Sequence, residues 1–131
     1  DFFATRGFLE AKNYSFASDF DRDFDGNPEN FVEVENPLSA DQKFCRTNLI
    51  SNFIKNLESE LRTHRNLDFF EIGSVFSVAE PSGNAKSPTA ERKNGDSPIV
   101  ESTHFSALSA EIGGDEVAKF FALKSDLSAF F

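Results

Sequence analysis

The amino-acid sequence predicts an α+β fold in which an antiparallel β-sheet is flanked by helices. In the middle of the chain, apolar residues recur at spacings of one, three and four, the period of a helix with one buried face: Leu49, Ile50, Phe53, Ile54, Leu57 and Leu61. From Phe69 to Val78 nearly every second residue is apolar, and large side chains fall on both faces of this predicted strand. A helix that leads into a strand covered on both sides is therefore the expected centre of the fold.

Composition and charge limit the class of protein. The single cysteine, Cys45, excludes an intrachain disulfide and fits a reducing compartment. The sequence contains no apolar run of membrane-spanning length and no signal peptide, so we expect a cytoplasmic protein. The formal net charge is -9, and no run of Lys and Arg offers a stripe for phosphates, so direct contact of this segment with nucleic acid is not expected.

Length and termini predict one partial domain over residues 1–131, taken from a longer polypeptide. The chain begins with Asp1 rather than Met, and it stops at Phe131 inside an apolar pattern. Phenylalanine is frequent, at 17 residues. Two explanations stay open: a compositional bias of the genome, or an aromatic coat on an interface with another chain.

The first elements are a helix end, a strand and an acidic turn. Gly7 is expected to cap a helical segment at residues 1–6, and the sequence from Phe8 to Phe16 predicts a strand. Residues 18–30 then carry alternating acids that match the opening of a calcium loop: Asp19, Asp21, Asp23 and Asp25. The final bidentate acid of such a loop would fall at Val32, so a solvated acidic turn is favoured over a metal site.

The segment before the central helix predicts a short strand and a loop. Residues 31–35 read as a strand that runs into Asn36 and Pro37, because the residue before proline prefers extended geometry. Residues 38–46 are expected to be a loop. Thr47, just ahead of the apolar periodicity, is the expected N-cap of the helix.

The last part of the chain predicts a hairpin and a closing helix. Residues 79–98 are rich in Pro, Ser, Gly, Lys and Asn, which favours a mobile connection. The alternation from Thr103 to Ile112 predicts a strand antiparallel to the one before the connection. Apolar residues at spacings of three and four predict an amphipathic helix over Val117 to Phe131.

Few side chains suggest chemistry on their own. Cys45, His64 and His104 provide a nucleophile and bases for a hydrolase, but their spacing does not require it, and a buried thiol and a histidine at a helix end are the simpler interpretations. Arg46 has two interpretations of equal weight. Its guanidinium binds a carboxylate or phosphate across an interface, or it pairs within the chain.

Six short motifs in order resemble the beta subunit of bacterial-type phenylalanyl-tRNA synthetase. They are Arg6-Gly7-Phe8-Leu9-Glu10, Tyr14-Ser15-Phe16, Asn36-Pro37-Leu38-Ser39, Arg46-Thr47 with Leu49, Phe70-Glu71-Ile72-Gly73 with Val75-Phe76, and Phe120-Phe121-Ala122-Leu123-Lys124-Ser125-Asp126. The resemblance implies a class II aminoacyl-tRNA synthetase-like module that has lost its active site. It also implies an alpha subunit as partner, in a heterotetramer of two alpha and two beta chains. That alpha subunit attaches phenylalanine to tRNA(Phe) with ATP and Mg²⁺.

The resemblance transfers no catalytic, cofactor-binding or metal residue to this chain. Class II catalysis uses an arginine on the strand after the Gly-x-Val-aromatic turn to hold the nucleotide phosphate, and here that turn is followed by Ser77, which carries no charge. The residues expected at a subunit interface or in a structural role are Asn36, Pro37, Arg46, Glu71 and Gly73. The alternative function is a free-standing protein-binding module with a Phe-rich interface.

Overall fold

The structure is a computed structural model, and it describes residues 2–79 and 98–130. Over these residues the chain forms the following strands and helices in order: β1 (Leu9–Glu10), β2 (Phe16–Ala17), α1 (Asp19–Asp25), β3 (Val32–Glu33), β4 (Phe44–Cys45), α2 (Ile50–Glu60), β5 (Asn66–Val78), β6 (Ile99–Glu111) and α3 (Glu116–Phe130). Short 3-10 turns lie at Ala4–Arg6, Pro28–Asn30 and Ala40–Gln42. The fold is α+β, as predicted.

The described residues divide into two compact units. The first unit contains residues 2–13, 49–73 and 105–130, and the second contains 14–48, 74–79 and 98–104. Among the described residues, the first unit contains two clusters of buried apolar side chains and the second contains one. Of the predicted connection over residues 79–98, all but the two end residues lie outside the described residues. Ala79 and Pro98 themselves are joined by a backbone hydrogen bond of 2.9 Å.

The larger sheet has the strand order β1-β5-β6. The backbone of Ile112 donates to the Arg65 carbonyl and that of Ala79 to the Pro98 carbonyl, so β5 and β6 run antiparallel, as predicted. β1 instead pairs in parallel with β5, with Leu9 opposite Phe69. The expectation of a wholly antiparallel sheet is therefore wrong at this edge.

Both faces of β5 are covered in the first unit, as the sequence predicted. On one face Phe69 packs with Leu67 and with Phe53 of α2. On the other face Phe70 belongs to a separate cluster with Phe3 and Phe8, against which Phe105, Leu123 and Leu127 are packed. Large apolar residues next to each other along the strand are needed because each fills a different core.

The prediction of one strand from Phe8 to Phe16 is wrong. The structure has two short strands there, β1 and β2, in different sheets. Between them the Asn13 side chain bonds to Glu71 of β5. Gly7, at φ 90°, ends the preceding 3-10 turn in the left-handed conformation that was expected of it.

The second unit contains a small antiparallel sheet of order β2-β4-β3. Phe16 and Val32 lie on either side of Cys45, and Ala17 lies opposite Phe44. The expectation of an unbroken loop over residues 38–46 is wrong, because β4 is the central strand of this sheet. Phe44 explains the difference: its ring is buried with Ala17 and Phe31.

The acidic stretch is a helix, so the prediction of a solvated turn is also wrong. Ser18 caps α1 in a capping box, in which its hydroxyl accepts from the Asp21 amide and the Asp21 carboxylate accepts from the Ser18 amide. Successive helical residues are turned by about 100°, so alternating aspartates point to different sides instead of to one ion. Residues 2–79 and 98–130 contain no group of three or more His, Cys, Asp or Glu that would hold a metal ion.

The central helix differs from its prediction at its start and on one side. α2 begins at Ile50 with Leu49 at the N-cap position, and the hydroxyl of Thr47 bonds to Asp25 instead of capping it. Leu49 and Phe53 are buried, as expected from the stripe, but Ile50 and Ile54 are exposed. The buried face of α2 is thus narrower than the apolar pattern suggested.

The last elements lie where the sequence predicts them, apart from their ends, but α3 lacks the predicted amphipathic division, because Phe120 and Phe121 are each 59% exposed. β5 and β6 each extend about three or four residues beyond the predicted starts. The carboxylate of Asp115 accepts from the amides of Val117 and Ala118 at the start of α3. Phe131, the expected last residue of that helix, lies outside the described residues. In the part of the chain that the structure describes, no helix combines the length and apolarity needed to span a membrane.

Candidate functional site

The best-defined polar site is the Arg46 junction, which we define as Ser15, Arg46, Ser74 and Phe76 in the second unit. The Arg46 amide donates to the Ser15 carbonyl at 3.0 Å, and the Phe76 amide donates to the Arg46 carbonyl at 2.8 Å. The Arg46 side chain donates from Nε to the Ser74 carbonyl at 2.9 Å. One residue therefore connects the segment before β2, the end of β4 and the second half of β5.

The guanidinium of Arg46 is used inside the chain. Arg46 is 4% exposed, whereas an arginine that binds a substrate phosphate presents its planar fork to the ligand. A buried cation is tolerated only with hydrogen-bonded partners, and the Ser74 carbonyl is one of them. The arrangement can hold the Ser74–Phe76 part of β5 in place, and it does not offer an open anion site.

The residues after Arg46 fasten the same segment to α1. The Asp25 carboxylate accepts from the Thr47 hydroxyl at 3.0 Å and from the Asn48 side-chain amide at 2.7 Å. Sequence reasoning missed Asp25 as a structural residue because it was assigned to the acidic turn. The Thr-Asn pair after Arg46 was the available signal, since both side chains can donate to a carboxylate.

Glu71 is a buried carboxylate of the first unit. It is 2% exposed, and its oxygens accept from the side-chain amide of Asn13 at 2.8 Å and from the Asn13 backbone at 3.4 Å. These bonds hold the segment after β1 against β5. Asn13 was also missed from the sequence, because its partner lies 58 positions away.

The other predicted interface residues lie in different surroundings. Asn36 and Pro37 are exposed in the second unit, between β3 and the 3-10 turn at Ala40–Gln42. Gly73 is half-buried in β5. Ser77 lies in the same strand, and the described residues that follow it, Val78 and Ala79, carry no charge.

The candidate bases contact residues close to them in the sequence, and the candidate nucleophile is half-buried. Burial raises the pKa of the Cys45 thiol above its ordinary value, which is opposite to the lowered pKa of a nucleophilic thiolate. The ring of His64 lies 2.9 Å from the Thr63 hydroxyl and 3.3 Å from the Glu60 carboxylate. His104 lies 3.2 Å from the hydroxyl of Ser102. These environments do not favour a hydrolase.

A cleft of about 680 Å³ lies in the first unit, between residues 7–13, the end of α2 and the start of β5. Its charged lining consists of Lys12 against three carboxylates, those of Glu10, Glu60 and Asp68, with His64 beside them. Carboxylates repel an anionic ligand. The cleft is therefore poorly suited to the phosphates of a nucleotide.

Comparison with known proteins indicates one protein family. The family model described as "Phenylalanyl tRNA synthetase beta chain CLM domain" matches residues 1–131. The chain is 31% identical over 81 residues to a phenylalanine–tRNA ligase beta subunit from Leptospira borgpetersenii serovar Hardjo-bovis (strain L550), over 61% of this chain and 10% of that relative. It is 35% identical over 71 residues to a chloroplastic one from Gracilaria tenuistipitata var. liui, over 53% of this chain and 10% of the relative.

A third relative gives the same result. A phenylalanine–tRNA ligase beta subunit from Solibacter usitatus (strain Ellin6076) is 33% identical over 72 residues, which cover 54% of this chain and 9% of the relative. The matched part of the chain thus spans about a tenth of the length of these curated relatives.

Proposed function

The chain belongs to the phenylalanyl-tRNA synthetase beta chain family, and from this premise we propose that it is a non-catalytic, class II-like assembly module. In this proposal it supports an alpha subunit that attaches phenylalanine to tRNA(Phe) with ATP and Mg²⁺. The two kinds of subunit form a heterotetramer of two alpha and two beta chains. The name of the relatives, beta subunit, supports a partner subunit.

The observation that carries the proposal is that position 77 of β5, where a cation would be needed, is uncharged. Where adenylate chemistry needs a cation exposed to the nucleotide, the strand has the uncharged Ser77. The nearby arginine of the same unit, Arg46, is buried and donates to the Ser74 carbonyl. Its positive charge thus stabilises the scaffold instead of stabilising a transition state.

The electrostatics of the chain support the same interpretation. The formal net charge is -9, and the described cleft of the first unit carries more carboxylates than lysines. ATP and the tRNA backbone are both polyanions, so a surface of this kind repels them. Contact with tRNA is accordingly assigned to other parts of the enzyme.

Phenylalanine-dependent exchange of pyrophosphate into ATP tests the proposal. The full-length beta chain is assayed alone, the alpha subunit alone, and the two together. We expect no exchange from the beta chain alone, exchange from the complex, and the same rate from a complex that carries Ser77→Ala. Exchange by the beta chain alone would contradict the non-catalytic role.

The alternative is a free-standing binding module, and its supporting observation is a set of exposed aromatic pairs. Phe20 stacks with Phe24, and Phe120 meets Phe121 edge to face, with all four rings more than half exposed. Purification of the tagged full-length chain distinguishes the two functions. A stoichiometric alpha subunit supports the synthetase, and a different stoichiometric partner supports the binding module.

A further inference from the structure

The inward side of helix α3 begins with a lysine. Lys119 Nζ lies 3.3 Å from the Asp68 carboxylate of β5, and it also donates to the side-chain carbonyl of Asn66 in the same strand. The Asp68 carboxylate accepts in addition from the Ser109 hydroxyl of β6, so the lysine meets an acid that is bonded to a second strand. The Lys119 side chain is 17% exposed, whereas its neighbour Phe120 is 59% exposed.

The burial of Lys119 beside an exposed Phe120 inverts the usual preference. Phenylalanine is one of the residues most often buried, and lysine is almost never buried unless it is paired. A lysine can lay its aliphatic stem against the protein, provided that its charged end has a partner. The contacts with Asp68 and Asn66 supply that partner.

A second ion pair lies two turns further along α3. Arg6 Nε lies 2.9 Å from the Asp126 carboxylate, and the Arg6 guanidinium carbon lies 3.6 Å from the centre of the Phe2 ring. Lys119 and Asp126 are seven residues apart, which is about two turns, so both point to the same side of the helix. The inward side of α3 thus carries two charges of opposite sign, and each is paired with a residue of the first unit outside α3.

The apolar pattern alone gives α3 a different rotation about its axis. The apolar spacing groups Phe120 with Leu123 and Leu127, whereas the structure turns Lys119, Leu123, Asp126 and Leu127 inward. At 100° per residue, the centres of these two groups differ by roughly 50°. Leu123 and Leu127 belong to both groups, so a roll of this size exchanges only Phe120 for the two charged residues.

We propose that α3 is a helix with two docked positions, and that the ion pairs of Lys119 and Asp126 hold it in the position observed. When the pairs are broken, α3 rolls by roughly 50° about its own axis, so that Phe120 turns towards the sheet and the two charged residues turn to solvent. Leu123 and Leu127 stay against the cluster of Phe3, Phe8 and Phe70 in both positions. The proposal concerns the first unit alone and does not rest on the proposed function.

The physical character of the two kinds of contact explains why the ion pairs decide. Apolar burial is non-directional, so it tolerates either rotation as long as Leu123 and Leu127 remain covered. A charge-assisted contact fixes one geometry, and loss of one partner leaves the other charge without its counterion in a half-buried place. The preference between the two positions is therefore set by Lys119 and Asp126.

The solvent exposure of an indole introduced at position 120 tests the proposal. The full-length beta chain is labelled with 5-fluorotryptophan as Phe120→Trp and, for the matched control, as Phe121→Trp, each with and without Lys119→Met and Asp126→Asn. In fluorine NMR, the signal that only the substituted chain shows is followed, and its isotope shift between water and heavy water measures exposure. We expect the shift of Phe120→Trp to fall at least twofold without the ion pairs, and that of Phe121→Trp to stay the same.

The other outcomes overturn the proposal in distinguishable ways. An unchanged isotope shift of Phe120→Trp means that apolar contacts alone fix the rotation of α3. A larger shift at both positions means that α3 detaches instead of rolling. A small shift of Phe120→Trp in the chain that retains both ion pairs means that another part of the full-length chain already covers this position.

Salt provides a second readout that needs no substitution at the ion pairs. Both pairs are partly exposed, so salt at about 1 M, where the Debye length is about 3 Å, should weaken them. We expect the isotope shift of Phe120→Trp to fall as salt is added, and to be independent of salt when Lys119→Met and Asp126→Asn are present. A salt effect of equal size in both backgrounds would overturn the proposal.

Unfolding by urea provides a third readout. Phe120→Ser should leave the midpoint of unfolding unchanged while the ion pairs hold the ring of Phe120 in water. In the background of Lys119→Met and Asp126→Asn the same change should lower the midpoint, because the ring then packs against the protein. The two effects are coupled only if α3 rolls, so equal changes in both backgrounds would contradict the proposal.

Discussion

The Nε atom of Arg46 lies 2.9 Å from the carbonyl oxygen of Ser74, and the carbonyl oxygen of Arg46 accepts from the amide of Phe76 at 2.8 Å. Side chain and backbone of one residue thus bind both ends of a three-residue segment of β5. In an arginine site that binds phosphate, the planar guanidinium fork would be open to the ligand. Here the side chain is buried and donates within the chain, so stability is the quantity that it should control.

Replacement of Arg46 by alanine should therefore destabilise the protein strongly. The change removes a buried donor and leaves the Ser74 carbonyl to find a new partner, so we expect a loss of roughly 3 kcal/mol in the free energy of unfolding, measured by urea titration. Arg62→Ala, at an exposed position after α2, is the control and should change it by less than about 0.5 kcal/mol. Equal effects of the two variants would refute the structural role.

The capping box at the start of α1 gives a smaller, local prediction. Ser18→Ala removes the hydroxyl that accepts from the Asp21 amide, and caps of this kind contribute about 1 kcal/mol. Ser18→Asn keeps an acceptor and should retain most of the stability. The midpoint of thermal unfolding, measured for both variants, checks the order. An alanine variant as stable as the asparagine variant would contradict it.

Phenylalanines at buried and exposed positions should respond differently to truncation. Phe53 is 2% exposed beside Leu67 and Phe69, so Phe53→Ala leaves a cavity and should cost about 3 to 5 kcal/mol of unfolding free energy. Phe24 is 58% exposed, and Phe24→Ala should cost less than about 0.5 kcal/mol. Chemical denaturation with one probe in each unit measures both. Similar losses of unfolding free energy at the two positions would mean that the Phe24 ring is buried, in contradiction to the structure.

Cys45 should react slowly in the folded protein. Because burial raises its pKa, the neutral thiol predominates near neutral pH, and alkylation at pH 8 should be at least tenfold slower than in the chain unfolded by urea. The raised pKa of Cys45 also predicts how the stability of the protein depends on pH. The advantage of burying the neutral thiol is complete below the unfolded-state pKa and is lost as the pH rises through the higher folded-state pKa.

The alkaline part of this prediction has its own control. Stability measured from pH 8 upward should fall more steeply for the wild-type chain than for Cys45→Ala, which has no thiol to ionise. Rapid labelling of the folded chain at pH 8 would instead mean an activated cysteine, and it would revive the hydrolase interpretation.

Sequence patterns predicted the long elements well. α2, β5, β6 and α3 each have 11 or more residues, so each pattern repeats over several periods. The two-residue strand β4 had no such repeat. It exists because Phe44 and Cys45 pair with β2 and β3, and those contacts are tertiary.

The helix at Asp19–Asp25 was missed for a different reason. Its capping box, Ser18 followed by Asp21, was readable, but the alternation of aspartates resembled a calcium loop more closely. In the candidate site, Arg46 was singled out from its position before the helix and Glu71 from the motif resemblance, and the interface or structural role of both stays a prediction. Their hydrogen-bond partners, such as Asn13, were not predictable from the sequence. Residues far apart in the sequence come together only through the tertiary fold.

The parallel pairing of Leu9 with Phe69 has a consequence for synthesis on the ribosome. Two parallel neighbouring strands need a long crossover between them. Here β1 cannot pair with β5 until about sixty further residues have left the exit tunnel. At elongation rates of about 5 to 20 residues per second, that delay lasts several seconds. During this interval Phe3 and Phe8 have no β5 to pack against. They are therefore exposed to binding by a chaperone in this period.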